Sequence, residues 1–103
     1  MVDTTPLTRA VEHFADKLRA APQSRLQRGA AAEALALARQ LADWARTVEE
    51  PDAAPREMPD AGMFAVADQI TVAGNDLAVV LLSDAEVGDA VRLVEEAQKR
   101  AGV

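Results

Sequence analysis

His13 is the one side chain in this sequence able to exchange a proton near neutral pH, and no cysteine accompanies it. A histidine acting as general base needs a carboxylate to orient it. Glu12 is adjacent and Asp16 lies three residues on, so a helical surface contact is the only such arrangement the spacing allows. His13 falls off the apolar stripe of its helix, beside Arg9 and Lys17, and reads best as an exposed helix residue. A single histidine cannot build the paired Glu-x-x-His motifs of di-iron bundles or a His-rich zinc site. The lack of cysteine removes thiol catalysis and thiolate metal sites.

Carboxylates are the other reactive candidates. Glu49, Glu50 and Asp52 flank one proline-rich stretch, and Asp84, Glu86 and Asp89 open the last predicted helix. The first group lacks the alternating ligands and central glycine of a calcium loop. The second group is accounted for by acidic side chains favouring a helix N-terminus. The pair Glu95-Glu96 resembles the acidic pairs of nucleotide pyrophosphohydrolase helices, but companion acids on a neighbouring helix are missing. No glycine-rich phosphate loop and no Gly-x-Ser-x-Gly elbow occurs. The sequence therefore predicts no catalytic residue, no metal site and no cofactor.

Four apolar stripes must position whatever surfaces the chain presents. Leu7, Val11, Phe14 and Leu18 recur at helical spacing, with Thr5 as expected cap, Pro6 in the first turn and Pro22 as the stop. A longer helix is expected from a Ser24 cap to Pro51, with a main stripe of Leu26, Ala30, Leu37, Leu41, Trp44 and Val48. Arg39 lies outside that stripe and is expected to have little to do. Gly29 is the weak point of this helix, costing up to about 1 kcal/mol against alanine. A second stripe, Ala31, Leu35, Ala38, Ala42 and Ala45, widens the apolar surface to nearly half the circumference. Such a helix meets two neighbours in its own chain, or one neighbour and another subunit.

Residues 50–60 form a Pro-rich linker, with Pro51, Pro55 and Pro59 forbidding regular helix. An extended crossing of one bundle end is expected for it. The segment after it supports two readings. As a helix from an Asp60 cap, Met63, Val66, Ala67, Ile70, Ala73, Gly74, Leu77 and Leu81 share a face. As a hairpin over 69–81, Gly74-Asn75 forms the turn. The helical stripe begins earlier and runs unbroken through that turn, and a lone hairpin would leave two edges open, so helix is favoured. The last helix carries a Ser83–Glu86 capping box, the stripe Val87, Ala90, Val91, Val94 and Ala97, and Gly102 as its stop.

The expected architecture is all-α: one domain over residues 1–103, an antiparallel four-helix bundle or close variant, with α+β as the alternative. Half the residues are hydrophobic but only 3% are aromatic, so the core must be made of Ala, Val and Leu. The net charge of −6 falls entirely on the second half. Residues 1–50 hold seven basic and seven acidic side chains, residues 51–103 four and ten, and no basic residue occurs between Arg56 and Arg92. This repels phosphate backbones, so nucleic acid is not an expected partner. No apolar run is long enough for a membrane span, and the N-terminus has no signal-peptide character, so cytoplasmic residence is expected.

These readings favour a non-enzymatic interaction or structural module that self-associates as a homodimer or meets a protein partner. A small apolar ligand bound near Met63, Phe64 and Trp44 is the alternative. Candidate interface residues are the alanine stripe, Ala31, Leu35, Ala38, Ala42 and Ala45, and the back of the third helix, Asp68, Val72, Asn75 and Val79.

Overall fold

In the computed structural model, which describes residues 2–103, the predicted stripes are helical except at Leu26 and Ala30, which lie in a widened turn, and at Met63 and Leu81, which lie just outside the third stripe's helix. Helix α1 spans Thr5–Ala20, α2 is a single turn at Gln23–Arg25, α3 spans Ala31–Glu49, α4 Val66–Val80 and α5 Asp84–Ala101. A widened turn, Leu26–Ala30, joins α2 to α3. Residues 69–81 form no hairpin, since Gly74 and Asn75 lie inside α4.

The four long helices form a bundle in which α4 packs between α1 and α3, and α5 covers the other side of the same two helices. One continuous core draws on all four, from Leu7, Phe14, Leu37, Leu41, Ile70, Leu77 and Val94. Each buried Leu or Phe contributes roughly 1.5–3 kcal/mol. With so few aromatics, the helices must come close together. One close approach is Gly74 on α4 against Val11 on α1: a β-carbon at position 74 would sit 2.8 Å from Val11 Cγ2. Arg19 at the end of α1 bonds Asp68 near the start of α4 at 2.9 Å, so the two helices are antiparallel.

The helix ends differ from the sequence expectation in three places. Thr5 does not cap α1; it is the first helical residue, and its N–H donates to Asp3 Oδ1 at 2.9 Å. Hydrogen bonds from the Thr5 side chain and backbone hold the Asp3 carboxyl below its ordinary value of 3.8. Ser24 does not cap a continuous second helix. Pro22 precedes α2, and Gly29, at φ +148°, breaks the helical path before α3. Asp60 does not start α4: its carboxylate closes a local turn by accepting from Gly62 N–H at 2.8 Å, and helix begins only at Val66. The α5 signals hold. Ser83 accepts from Glu86 N–H, Glu86 Oε1 accepts from Leu82 N–H at 3.0 Å, and Gly102 ends the helix in a left-handed conformation.

The linker does not cross a bundle end. It turns back along α3, and Arg39 and Arg46 tie it there. Arg39 Nε donates to Met58 O at 2.9 Å and its guanidinium meets Glu57 at 3.4 Å, while Arg46 donates to Arg56 O at 3.3 Å. Gln69 of α4 donates to Pro59 O at 3.0 Å. Arg39, expected to have little to do, is thus a fastening of the strap. Because the strap returns the chain along α3, α4 runs alongside α3 in the same sense, with Asp76 near Ala45–Glu50.

The kink at Gly29 lets Arg25 reach Gly102 O at 2.7 Å, and Arg100 bonds Glu33 at 2.9 Å beside it. Helix propensity alone makes Gly29→Ala stabilising. The positive φ reverses the sign: urea unfolding of Gly29→Ala is expected to show a loss of about 1–3 kcal/mol. Gly74→Ala is expected to be destabilising on its own, since an overpacking cost of about 1–3 kcal/mol exceeds a propensity gain of up to about 1 kcal/mol. In a Val11→Ala background the same substitution becomes stabilising, a coupling that a double-mutant cycle reads directly. The Asp3 cap contributes above pH 3.8 and is lost as pH falls through its depressed folded value. Asp3→Ala therefore melts below wild type at neutral pH, and the difference closes in acid.

Candidate interaction surface on helix α4

The two stripes proposed as interface separate cleanly once the bundle assembles. In the alanine stripe, Leu35, Ala38 and Ala45 are buried in the chain's own core, and Ala31 and Ala42 are half-buried against it. The three buried residues belong to the core where α3 meets α4 and α5, while Ala31 and Ala42 keep part of their surface exposed. Asp68, Val72, Asn75 and Val79 stay at the surface, on the one side of α4 that neither α1 nor α3 covers.

The apolar members of this face are unusually bare. Val72 is 58% exposed and Val79 85%, and Leu82, just beyond the helix, is 83% exposed. Phe64, in the turn before α4, is 73% exposed. Scattered surface apolar side chains are ordinary. Two of them on one face of a helix, with one more just beyond each of its ends, are a different observation. Leu82 was missed in the sequence, and Phe64 was expected at a ligand site rather than on an exposed surface, because each lies outside helical periodicity, one after the helix end and one before its start. Their signal was only that neither continues the buried stripe.

The charged surround is one-sided. Asp68 is bonded to Arg19, whose other contact is Asp16 at 3.4 Å. Asp76 lies on the α3 side of α4, lining a groove with Arg46, Glu49, Glu50 and Arg56. Asp84 is exposed at the start of α5.

The reactive candidates are dispersed. His13 is exposed on α1 and bonded to neither Glu12 nor Asp16. Glu86 is held in the Ser83 cap, and Asp89 pairs with Arg92. Among the described residues no three His, Asp or Glu side chains converge on a position where a metal could sit. Met63 and Phe64 line a small pocket of about 190 Å³ with Leu18, Leu26 and Val66, while Trp44 packs elsewhere against the core. The expected ligand position near Met63, Phe64 and Trp44 is therefore not one cavity. A larger open groove, about 650 Å³, lies between α1 and α5, lined by Ala10, Val91 and Val103 together with Arg9, His13, Glu95 and Lys99. Among the described residues no helix is long and apolar enough to cross a membrane. Comparisons with protein families, with curated proteins and with solved structures found no match to this chain.

Proposed function

We propose that the protein is a non-enzymatic interaction module that docks another polypeptide, in the first instance a copy of itself, on the outer face of α4. The carrying observation is that Val72 and Val79 are left bare on a helix packed against α1 and α3, with Leu82 also bare just beyond its end. Burying three such side chains contributes about 1.5–3 kcal/mol each at most. Association costs of about 4–15 kcal/mol offset that gain. Contacts from the flanks must therefore add to it, and the complex formed is a reversible one. The acidic surround and the lack of a basic patch argue against nucleic acid as the partner. A chain free of cysteine suits a reducing cytoplasm as the place of work.

A second reading, a small amphiphilic ligand, has its support in the groove between α1 and α5, where Ala10, Val91 and Val103 line the space together with Arg9, His13 and Lys99. Native mass spectrometry of gently purified protein separates the two, because it reads subunit count and bound mass together. Wild type is expected to carry a second polypeptide. Val72→Glu/Val79→Glu is expected to lose it while keeping the helical circular dichroism and a melting temperature within a few degrees, since both sites are exposed. A single chain carrying only a small-molecule mass, unchanged by that double substitution, would overturn the interaction reading in favour of the ligand.

A further inference from the structure

The two halves of the chain are built as complements of each other. The first half runs through α1, α2, the widened turn and α3, the second through α4 and α5, and the strap from Glu50 to Ala65 is the covalent link between them. Helix α1 packs on α4 and α5, and α3 packs on the same two. Neither α1 with α3 nor α4 with α5 makes a comparable contact, so the close helix packing of this bundle lies between the halves and not within either. Side-chain bonds between distant helices cross in the same way. Arg19 meets Asp68 at 2.9 Å, Arg100 meets Glu33 at 2.9 Å, and Arg25 donates to Gly102 O at 2.7 Å.

Each half taken alone therefore exposes the residues it buries, Leu7, Phe14 and Leu37 in the first and Ile70, Leu77 and Val94 in the second. The surface that covers them is the other half, and nothing in those contacts requires it to come from the same chain. The closed form is favoured by the strap, whose carbonyls accept from Arg39 and Arg46 on one side and from Gln69 on the other. Fully extended at about 3.3 Å per residue, the segment from Glu50 to Ala65 reaches on the order of 50 Å. The longest dimension of the molecule is 40 Å. The strap is thus long enough to deliver α4 and α5 to a neighbouring copy.

We infer that α4 and α5 form an exchangeable unit whose partner is a second copy of the chain: α4 and α5 of each copy pack on α1 and α3 of the other. Every helix contact of the single chain is remade, and exchange of an identical element is a low-cost route to a dimer. The exchange is reciprocal, so assembly closes at two. The outer face of α4 takes no part in it. A flexible link holds the halves of one chain at an effective concentration on the order of millimolar. Chains refolded together near that concentration exchange, and dilute chains close on themselves.

The absence of native cysteine lets one disulfide record which chain supplied each half. A β-carbon at position 74 would sit 3.4 Å from Val11 Cβ. Disulfides hold their β-carbons about 3.5–4.5 Å apart. Val11→Cys/Gly74→Cys in one chain, refolded dilute and oxidised, is expected to close within the chain and run as a monomer on a non-reducing gel. Chains with Val11→Cys alone and chains with Gly74→Cys alone, unfolded, mixed and refolded together at about millimolar concentration, are expected to give a mixed covalent dimer. Neither variant by itself is expected to give a covalent dimer. Arg39→Ala/Arg46→Ala in both chains loosens the strap and is expected to raise the yield of the mixed dimer. Closure of the double variant with no mixed dimer from the single variants would overturn the exchange, and so would equal coupling of either single variant with itself. Two copies docked through the outer face of α4 keep positions 11 and 74 inside each chain and give no mixed disulfide. A negative result here therefore leaves docking through that face standing, and a wild type indifferent to Val72→Glu/Val79→Glu removes the docking and not the exchange.

Discussion

The contact between Gly74 and Val11 is the constraint on which the rest of this bundle depends. It brings α4 against α1 with no side chain between the two backbones on the α4 side. The core contains only one fully buried aromatic side chain, Phe14, so its volume is met by close helix approach rather than by large residues. With α1 on one side and α3 on the other, α4 has its buried residues, Ile70, Ala73, Gly74 and Leu77, committed inward. Its third side is then left to solvent, and Val72 and Val79 stand on that side. The candidate surface is a consequence of how α4 is wedged, not of any special feature of its own.

The second organising element is the strap. Two connections of ordinary length would give neighbouring antiparallel helices. The proline-bearing segment instead returns along α3, held by carbonyls that accept from Arg39 and Arg46. Proline residues leave a segment unable to satisfy its own backbone in a helix, so its carbonyls are free for side-chain donors. That return path allows α4 to run beside α3 in the same sense and leaves α5 to close the opposite side of the bundle. The kink at Gly29 has a matching role at the other end, turning α2 so that Arg25 reaches the last turn of α5.

Much of this was legible in the order of residues. The stripes Leu7–Leu18, Leu26–Trp44 and Val87–Ala97 reappear as buried or half-buried faces because 3.6-residue periodicity is a local property that packing preserves; Val48, expected at the end of the second of these, is instead 41% exposed where α3 runs out past the core. The Ser83–Glu86 box and the Gly102 stop were readable for the same reason: each is completed by residues within four positions of itself. The back of α4 was readable as the complement of its buried stripe. Helix starts were less legible. Asp3, Thr4 and Thr5 are all capping residues by type, and only the backbone path distinguishes which oxygen reaches which N–H.

The sequence by itself determined the helical class, the stripes and the acidic second half, since composition and periodicity do not depend on distant neighbours. Tertiary structure alone decided which of two apolar stripes would remain at the surface. Leu35, Ala38 and Ala45 look as available as Val72 and Val79 when each helix is considered separately. They are buried because α3 touches both α4 and α5, whereas the outer side of α4 has no fifth helix to cover it. Likewise, whether Gly29 is a tolerated flaw or a bend depends on φ, and at +148° it breaks the helical path four residues after Arg25, which meets Gly102 at the end of α5. Long-range contacts of this kind leave no local pattern, so they appear only when the chain is folded.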